Sequence, residues 1–329
     1  MARVLITGIT GQDGALLAER LLAEGCAVHG LVRPGEELGD LEQRCPGVEL
    51  HEGELGDGSG LADAVAASDA DEVYHLAGIS SVSFSWQEPV VTAEVTALGP
   101  ARLLELAWQH QERRGRPVRF LQASSAEMFG VATVVPQDES TPVRPTSPYG
   151  AAKAFAHHLV GVYRERGLFA VSMVLYNHES DRRPPSFVTR KITQAAARIA
   201  LGLQDELVLG NLEVKRDWGW AADYVEAMVL ALRHEQADDY VIATGSAHSV
   251  ADFVEAAFRR AGVDDWQARV RVDPAFFRPV DPGLQVGDAS RARRVLGWQP
   301  SVEFDELVGR MVDADLAQLR AQTAVTAPD

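Results

Sequence analysis

A glycine-rich turn near the N-terminus constrains the fold more than any other stretch of this sequence. The turn, TGITGQDG (7–14), lies between an apolar run, RVLIT (3–7), and an amphipathic run at 13–24. It contains three glycines at three-residue spacing, Gly8, Gly11 and Gly14. Glycines so placed allow a tight turn and a close approach of the backbone to a pyrophosphate, which then lies at the helix N-terminus. The sequence therefore predicts a strand, a dinucleotide-binding turn and a helix.

Strand-like and helical patterns alternate through the first half of the chain. Further apolar runs of strand length occur at 27–32, 48–52, 71–77, 118–124 and 169–176. Helical patterns separate them, at 60–68, around 90–113 and from Ser147 onward. Strands separated by helices imply right-handed crossovers, so we predict an α/β fold with a doubly wound parallel sheet of the Rossmann type.

The pattern loosens after about residue 177, where proline-rich stretches and shorter strand and helix signals begin. We therefore predict a dinucleotide-binding domain over 1–176 and a smaller substrate domain over 177–329. The strand-like stretch DYVIATG (239–245) is compatible with a return to the sheet.

Composition and charge restrict the class of partner. A net charge of −16 argues against a nucleic-acid surface. No apolar run approaches the roughly 18 residues of a membrane helix, and MARVLITG passes directly into a strand, which leaves no room for a signal peptide. Cys26 and Cys45 lie in dissimilar contexts, and no Cys/His cluster has zinc spacing. We expect a cytoplasmic protein without a metal, a membrane or a nucleic-acid partner.

The end of the second strand bears on the choice of cofactor. About 20 residues after the last glycine, NAD enzymes usually place an acidic residue, which binds the ribose hydroxyls. Here the sequence reads GLVRPGEE, so Arg33 occupies that position, with Glu36 and Glu37 close by. An arginine there can bind a 2′-phosphate. We therefore expect NADP.

The stretch TSPYGAAKAF (146–155) carries the most specific signal. Ser147 is suited to cap a helix and Pro148 to begin it. Tyr149 and Lys153 then lie one turn apart on the same face. The pKa of a free tyrosine is near 10, and a neighbouring ammonium together with a positive nicotinamide ring would lower it toward that of a usable base.

Lysine is rare in this chain. Of 31 basic residues only three are lysines, Lys153, Lys191 and Lys215. A lysine retained against an arginine background suggests a need for a flexible ammonium. This observation singles out Lys153 further.

The stretch LQASSAEMFG (121–130) places hydroxyls and a carboxylate at the end of an apolar run. Ser125 and Glu127 follow a run that predicts a buried strand, where an unpaired charge is costly. Together with the glycine turn and the Tyr–Lys pair, they form a constellation typical of an active site.

These motifs resemble the extended short-chain dehydrogenase/reductases that act on nucleotide sugars. Sugar 4-epimerases carry a stretch similar to SSATVYG and dTDP-glucose dehydratases one similar to STDEVYG, where this chain has SSAEMFG. A hydroxyl followed two positions later by Glu127 resembles the GDP-mannose 4,6-dehydratases. Five further segments resemble that family, at 6–14, 177–193, 209–228, 239–245 and 276–281.

The chain departs from the family pattern in a few positions. The family usually has two arginines after the second strand and a longer segment that reaches a neighbouring subunit. Here Pro34 replaces the second arginine and the segment is short. Glu54 stands where the family has aspartate, Asp181 where it has proline, and Ser125 where it usually has threonine.

The resemblance implies an internal redox cycle with tightly bound NADP. Tyr149 would take the C4 hydroxyl proton while hydride leaves C4, Glu127 would remove the C5 proton, and water would leave C6 before hydride returns there. The implied catalytic residues are Ser125, Glu127, Tyr149 and Lys153. The cofactor-binding residues implied are Gly8, Thr10, Gly11, Gln12, Asp13, Gly14, Arg33, Glu54, Leu55, Leu76, Ala77, Gly78, Ser80, Tyr149, Lys153, His178 and Arg183. The substrate-binding residues implied are Ser80, Ser125, Glu127, Asn177, Arg190, Lys191, Arg216 and Arg278.

Other interpretations remain open at this point. A 4-epimerase or 4-ketoreductase acting on a GDP-sugar would not need Glu127, and a dehydratase of a related GDP-sugar would keep it. A non-catalytic NADP-binding sensor would tolerate the loss of Tyr149 or Lys153. The resemblance also implies a homo-oligomer, a dimer or a tetramer.

Overall fold

Seven parallel strands form the main sheet of this protein, seen in a computed structural model that describes residues 2–277, 280 and 283–326. The strands of the chain are β1 (Arg3–Thr7), β2 (Ala27–Val32), β3 (Glu49–Glu52), β4 (Glu72–His75), β5 (Arg119–Ser125), β6 (Phe169–Leu175), β7 (Asn177–Glu179), β8 (Leu207–Leu209), β9 (Lys215–Trp220), β10 (Asp239–Ile242), β11 (Ala247–Ser249), β12 (Val270–Val272) and β13 (Leu284–Gln285). The order in the main sheet is β3-β2-β1-β4-β5-β6-β10.

Helices cover both faces of this sheet. The helices of the described residues are α1 (Gln12–Ala23), α2 (Leu41–Arg44), α3 (Leu61–Ser68), α4 (Val82–Gln87), α5 (Pro89–Ala93), α6 (Gly99–Arg114), α7 (Pro148–Glu165), α8 (Val188–Ala200), α9 (Ala221–Arg233), α10 (Val250–Ala261), α11 (Ser290–Leu296) and α12 (Phe304–Thr326), of which α8, α10 and α12 pack away from this sheet. A π-helical turn, Glu94–Leu98, joins α5 to α6. Within the described residues, no helix is both long and apolar enough to cross a bilayer.

The strand order reverses between β1 and β4. Ligands of open α/β sheets bind outside the carboxyl ends of the strands at such a reversal, because the flanking loops separate there to leave a crevice. The glycine turn follows β1 and the Leu76–Gly78 segment follows β4, so both border this crevice. The predicted doubly wound parallel sheet is confirmed.

The second half of the chain builds smaller sheets. Strand β9 pairs with β7 and β13 in parallel and with β11 in antiparallel orientation, and β8 pairs with β12. A separate apolar core, which includes Ile192, Phe253 and Met311, joins α8, α10 and α12. Strand β10 lies at the edge of the main sheet beside β6, although it comes from this half.

Candidate active site

The glycine turn is closely packed on two sides. A Cβ atom on Gly8, whose φ is +72°, would lie 2.8 Å from the Ala77 backbone nitrogen, and one on Gly14 would lie 2.2 Å from the Gly8 carbonyl oxygen. Gly11 is exposed, and an added Cβ there would approach the Gly8 oxygen at 3.3 Å. Two glycines therefore serve packing, and the third leaves the backbone accessible.

The beginning of α1 fits an anion. Gly11 is its N-cap residue and supplies no side-chain cap to the first amides within the part of the chain that the structure describes. Such amides, with the positive end of the helix dipole, suit a pyrophosphate. The donor set at this turn therefore fits the predicted dinucleotide.

The other predicted cofactor residues lie at the carboxyl ends of β2, β3 and β4. Thr7 anchors the segment after β4, because its Oγ1 accepts a hydrogen bond from the Ala77 nitrogen at 3.2 Å. The segments concerned contain Arg33 after β2, Glu54 and Leu55 after β3, and Leu76, Ala77, Gly78 and Ser80 after β4. Gly78 and Ser80 are exposed, whereas Leu55 is buried and packs in the core.

A 3-10 turn after β5 keeps the side chains of Ser125 and Glu127 out of the core. Ser125 is the last strand residue, and its Oγ accepts a hydrogen bond from the Glu127 nitrogen at 3.2 Å within the 3-10 turn Ala126–Met128. Ser124, Ala126 and Met128 are buried, but Ser125 and Glu127 are half-buried. The turn thus places the hydroxyl and the carboxylate at the edge of the sheet rather than inside it.

Helix α7 brings Tyr149 and Lys153 to the same edge. As predicted, Ser147 caps it, accepting a hydrogen bond from the Gly150 nitrogen at 3.0 Å. A Cβ on Gly150 would lie 2.5 Å from the Glu127 carbonyl oxygen, so glycine is required for this close approach. Lys153 Nζ donates to the Ala123 carbonyl at 2.7 Å, which fixes the ammonium beside β5.

Burial dominates the electrostatics of the pair. It raises the pKa of Tyr149 to about 12, although a hydrogen bond with Ser125 acts in the opposite direction. Burial also lowers the pKa of Lys153 to about 8, against the attraction of Asp13. Lys153 Nζ lies 5.9 Å from the Tyr149 ring centroid. For the protein groups alone the pKa of Tyr149 is raised, because desolvation outweighs the hydrogen bond with Ser125, and the lowering expected from the ammonium together with a nicotinamide ring stays a prediction.

An ion pair connects the glycine turn to the segment after β6. His178 Nε2 lies 2.8 Å from Asp13 Oδ2, and its Nδ1 lies 2.7 Å from the Tyr176 carbonyl oxygen. Burial disfavours a charged ring, but the charge and hydrogen bond of Asp13 raise the pKa of His178 above its usual value. Gln12 donates to the His178 carbonyl at 3.1 Å and accepts from Ser180 Oγ at 2.9 Å.

These contacts give three predicted cofactor residues a packing role. The Gln12 side chain donates to Asp13 and to the His178 carbonyl, and the Asp13 carboxylate pairs with the His178 ring. The His178 ring stacks on Tyr224 at 4.5 Å between centroids. Sequence reasoning missed Ser180 and Tyr224, since neither lies in a motif that identifies the contact.

Arg183 lies where its charge reaches Tyr149. Its Nε is 3.1 Å from Glu179 Oε2, and its guanidinium lies over the Phe187 ring at 3.7 Å. The positive charge of Arg183 acts to lower the pKa of Tyr149, though burial prevails. Glu179, a buried carboxylate that also accepts from Thr189 at 2.7 Å, thus holds an arginine close to the site.

The predicted substrate residues separate into two groups. Asn177 is half-buried in β7, Lys191 Nζ lies 4.7 Å from the Phe276 ring centroid, and Arg216 Nη1 donates to the Gly283 carbonyl at 2.6 Å. Arg278 lies outside the described residues.

Arg190 differs from this group. Its Nη1 lies 2.6 Å from Asp315 Oδ1, and the two side chains are only 7% and 2% exposed. Its guanidinium joins α8 to α12 inside the core, and the predicted contact between Arg190 and substrate stays a prediction. His157 of α7 is half-buried, with Nδ1 2.8 Å from Ser172 Oγ.

One group of side chains has the composition of a metal site. His29, Glu49 and His51 bring their ligand atoms within 4.8 Å of one another on β2 and β3. A histidine that binds a metal donates its second N–H to an acceptor. Here the second nitrogen of His29 faces the Arg3 guanidinium at 3.4 Å, a donor, so this group is poorly arranged for a metal.

A model of the family described as GDP-mannose 4,6 dehydratase matches residues 5–311. The chain belongs to this family. GDP-mannose 4,6 dehydratase 1 of Arabidopsis thaliana is 46% identical over 325 residues, a match that covers 95% of this chain and 89% of the relative. The family resemblance expected from the sequence motifs is thereby confirmed.

The fold of this chain is similar to that of solved enzyme structures. UDP-glucose 4-epimerase of Thermus thermophilus, solved with NAD, is 30% identical with a TM-score of 0.81, covering 95% of this chain and 98% of its own. RMD of Pseudomonas aeruginosa, solved with NADPH, is 23% identical with a TM-score of 0.79, covering 97% of this chain and 100% of its own, and supports the fold alone.

Proposed function

We propose that the protein is a GDP-mannose 4,6-dehydratase, which converts GDP-D-mannose to GDP-4-keto-6-deoxy-D-mannose. The observation that carries this proposal is the position of Glu127. Its carboxylate lies close enough to Tyr149 for its charge to act on the pKa of the phenol, and Ser125 hydrogen-bonds the same phenol. A base, a hydroxyl and a carboxylate thus lie together at one edge of the sheet.

Each catalytic side chain has a role that suits its surroundings. Tyr149 takes the proton of the C4 hydroxyl, Ser125 holds the C4 oxygen, and Lys153 supplies a cation beside the phenol. Glu127 removes the C5 proton, which a 4-keto group makes acidic, and the C6 hydroxyl leaves as water with the proton that Tyr149 has taken. Glu127 returns its proton to C5 when hydride is delivered to C6. A nicotinamide ring held by the glycine turn and the segments after β2, β3 and β4 would supply the acceptor and donor of hydride and a positive charge near Tyr149.

The protein groups alone do not make Tyr149 a strong base. Its pKa of about 12 reflects burial, and Lys153 with a pKa of about 8 remains mostly cationic at neutral pH. Further positive charge therefore has to come from the cofactor and from Arg183, whose charge acts on the phenol in that direction. This requirement favours an enzyme that works with its dinucleotide bound.

The proposed cofactor is a nicotinamide dinucleotide held by the glycine turn and the segments after β2, β3 and β4. NADP is the proposed form, because Arg33 directly follows β2 and can donate to a 2′-phosphate. The GDP-sugar would bind through the amide of Asn177 and through Lys191, Arg216 and Arg278, which bring cationic donors to an acidic chain. Apart from β10, residues 177–329 would mainly serve that purpose.

We also propose a cytoplasmic homo-oligomer, most simply a dimer. Apolar side chains remain exposed on neighbouring helices: Leu98 is 44% exposed, Phe155 45% and Val162 59%. Phe155 and Val162 are two turns apart on α7, so they share a face that a second copy could cover. A double Phe155→Asp, Val162→Asp variant should run as a monomer in light-scattering chromatography, whereas an unchanged mass would refute this interface.

The function is tested by incubating the protein with GDP-mannose and a trace of NADP, without added NADPH. A dehydratase returns its hydride, so we expect a product lighter by one water from many turnovers per cofactor. A product of unchanged mass would instead indicate an epimerase. No product, or a need for stoichiometric reductant, would also refute the proposal.

A further inference from the structure

The chain turns sharply after β2, and its sequence encodes the turn. The Glu36 nitrogen donates to the Arg33 carbonyl at 3.0 Å, and Gly35 has a φ of +71°. Proline at the second position and a glycine with positive φ at the third are typical of a type II turn. Pro34 and Gly35 therefore return Glu36 toward the end of the strand.

The turn gives the Glu36 carboxylate three donors. Oε1 accepts from Thr10 Oγ1 at 2.7 Å, while Oε2 accepts from the Arg33 backbone nitrogen at 2.9 Å and from Arg33 Nε at 3.3 Å. Burial opposes the charge, but these hydrogen bonds hold the pKa of Glu36 below its ordinary value. The carboxylate is thus ionised and fixed, with its side chain 18% exposed against 68% for Arg33.

Glu36 contacts a residue of the glycine turn and a residue at the end of β2, the two elements that border the adenine ribose. Thr10 lies in the glycine turn, and Arg33 is the first residue after β2. In this fold, the adenine ribose lies between those two elements, and the residue there decides between a 2′-hydroxyl and a 2′-phosphate. Glu36 bridges the two elements.

We propose that Glu36 is a specificity-determining residue of the dinucleotide site, one that opposes a 2′-phosphate and accepts a hydrogen bond from a free 2′-hydroxyl. This inference rests on the cofactor assigned under the proposed function and deepens it. The Arg33 side chain contacts Glu36 through Nε, so its Nη groups can donate to a 2′-phosphate, but the fixed charge of Glu36 beside them repels that phosphate. The chain therefore binds NADP less tightly than Arg33 alone would allow, and it accepts NAD as well.

The test measures binding of NADP and of NAD separately by titration calorimetry, on the full chain and without sugar nucleotide. Glu36→Gln keeps the shape of the side chain and removes its charge. We expect the ratio of NADP to NAD affinity to rise about tenfold, because a charge pair a few ångströms apart at a protein surface is worth at least that much. Glu36→Ala should raise the ratio too, with weaker NAD binding.

Glu37→Gln is the matched control, since Glu37 is the exposed neighbour with the same formal charge. Its ratio should stay close to that of the parent. An equal rise in Glu37→Gln would show a general charge effect and overturn the proposal, as would an unchanged ratio in both Glu36 variants or a parent that binds neither dinucleotide. If the shift appears but no dehydrated sugar forms, the proposed function fails and this inference stands.

Discussion

Replacing Lys153 with methionine should stabilise the protein while abolishing its turnover. The ammonium is buried, and its desolvation lowers the pKa of Lys153 from 10.5 to about 8. Each pKa unit corresponds to about 1.4 kcal/mol, so the charged lysine costs the folded state about 3 kcal/mol at pH 7. Loss of the hydrogen bond to the Ala123 carbonyl destabilises the variant by about 1 kcal/mol, which offsets part of this gain. We expect a net gain of about 2 kcal/mol in the free energy of unfolding.

The effect should depend on pH in a defined direction. Because the folded pKa of Lys153 is lowered, the folded protein binds fewer protons than the unfolded chain between about pH 8 and pH 10.5. The parent protein therefore gains stability as pH rises through this window. The advantage of Lys153→Met should shrink by about 2 kcal/mol at pH 9.5, since the parent lysine is by then neutral.

Urea unfolding at pH 7 and pH 9.5 measures both quantities. Lys215→Met is the control, because Lys215 is exposed and should change the free energy of unfolding by less than about 0.5 kcal/mol at either pH. A destabilised Lys153→Met at pH 7, or a difference that does not change with pH, would refute the reasoning.

Two further predictions, the first with a control variant, test the packing at the site and a buried ion pair in the core of α8, α10 and α12. Gly150→Ala places a methyl group 2.5 Å from the Glu127 carbonyl oxygen, and we expect a loss of about 1–3 kcal/mol with a large loss of turnover. Gly161→Ala on the same helix, where an added Cβ meets no described atom within 4 Å, should be neutral or stabilising in the same unfolding assay. Asp315→Asn leaves Arg190 unpaired in the core and should cost about 3–5 kcal/mol, and a change below about 1 kcal/mol would contradict the buried pair.

Local sequence patterns predicted much of the main sheet. The run RVLIT predicted β1 with the bounds that the structure gives, and AVHGLV did the same for β2. Ser147 and Pro148 predicted the beginning of α7, because capping depends on neighbours in sequence. The long helix expected around 90–113 is instead interrupted by a π-helical turn, which no local pattern indicated.

Contacts between distant segments were beyond such reasoning. The pairing of β9 with β11 and β13 joins short strands without periodicity. Arg190 lies in a segment that resembles a substrate-binding signature. Only the tertiary structure shows that it forms an ion pair with Asp315, far along the chain. The pKa of Tyr149 also depends on burial, which residue types alone do not give.

The central claim is that Glu127 turns an oxidation at C4 into a loss of water across C5 and C6. The most direct measurement is the mass of the product formed from GDP-mannose by Glu127→Gln, compared with Glu165→Gln, an exposed residue at the far end of α7. We predict that Glu127→Gln binds the dinucleotide normally and forms no dehydrated product, while Glu165→Gln reacts like the parent. Dehydrated product from Glu127→Gln at a near-normal rate would contradict the account.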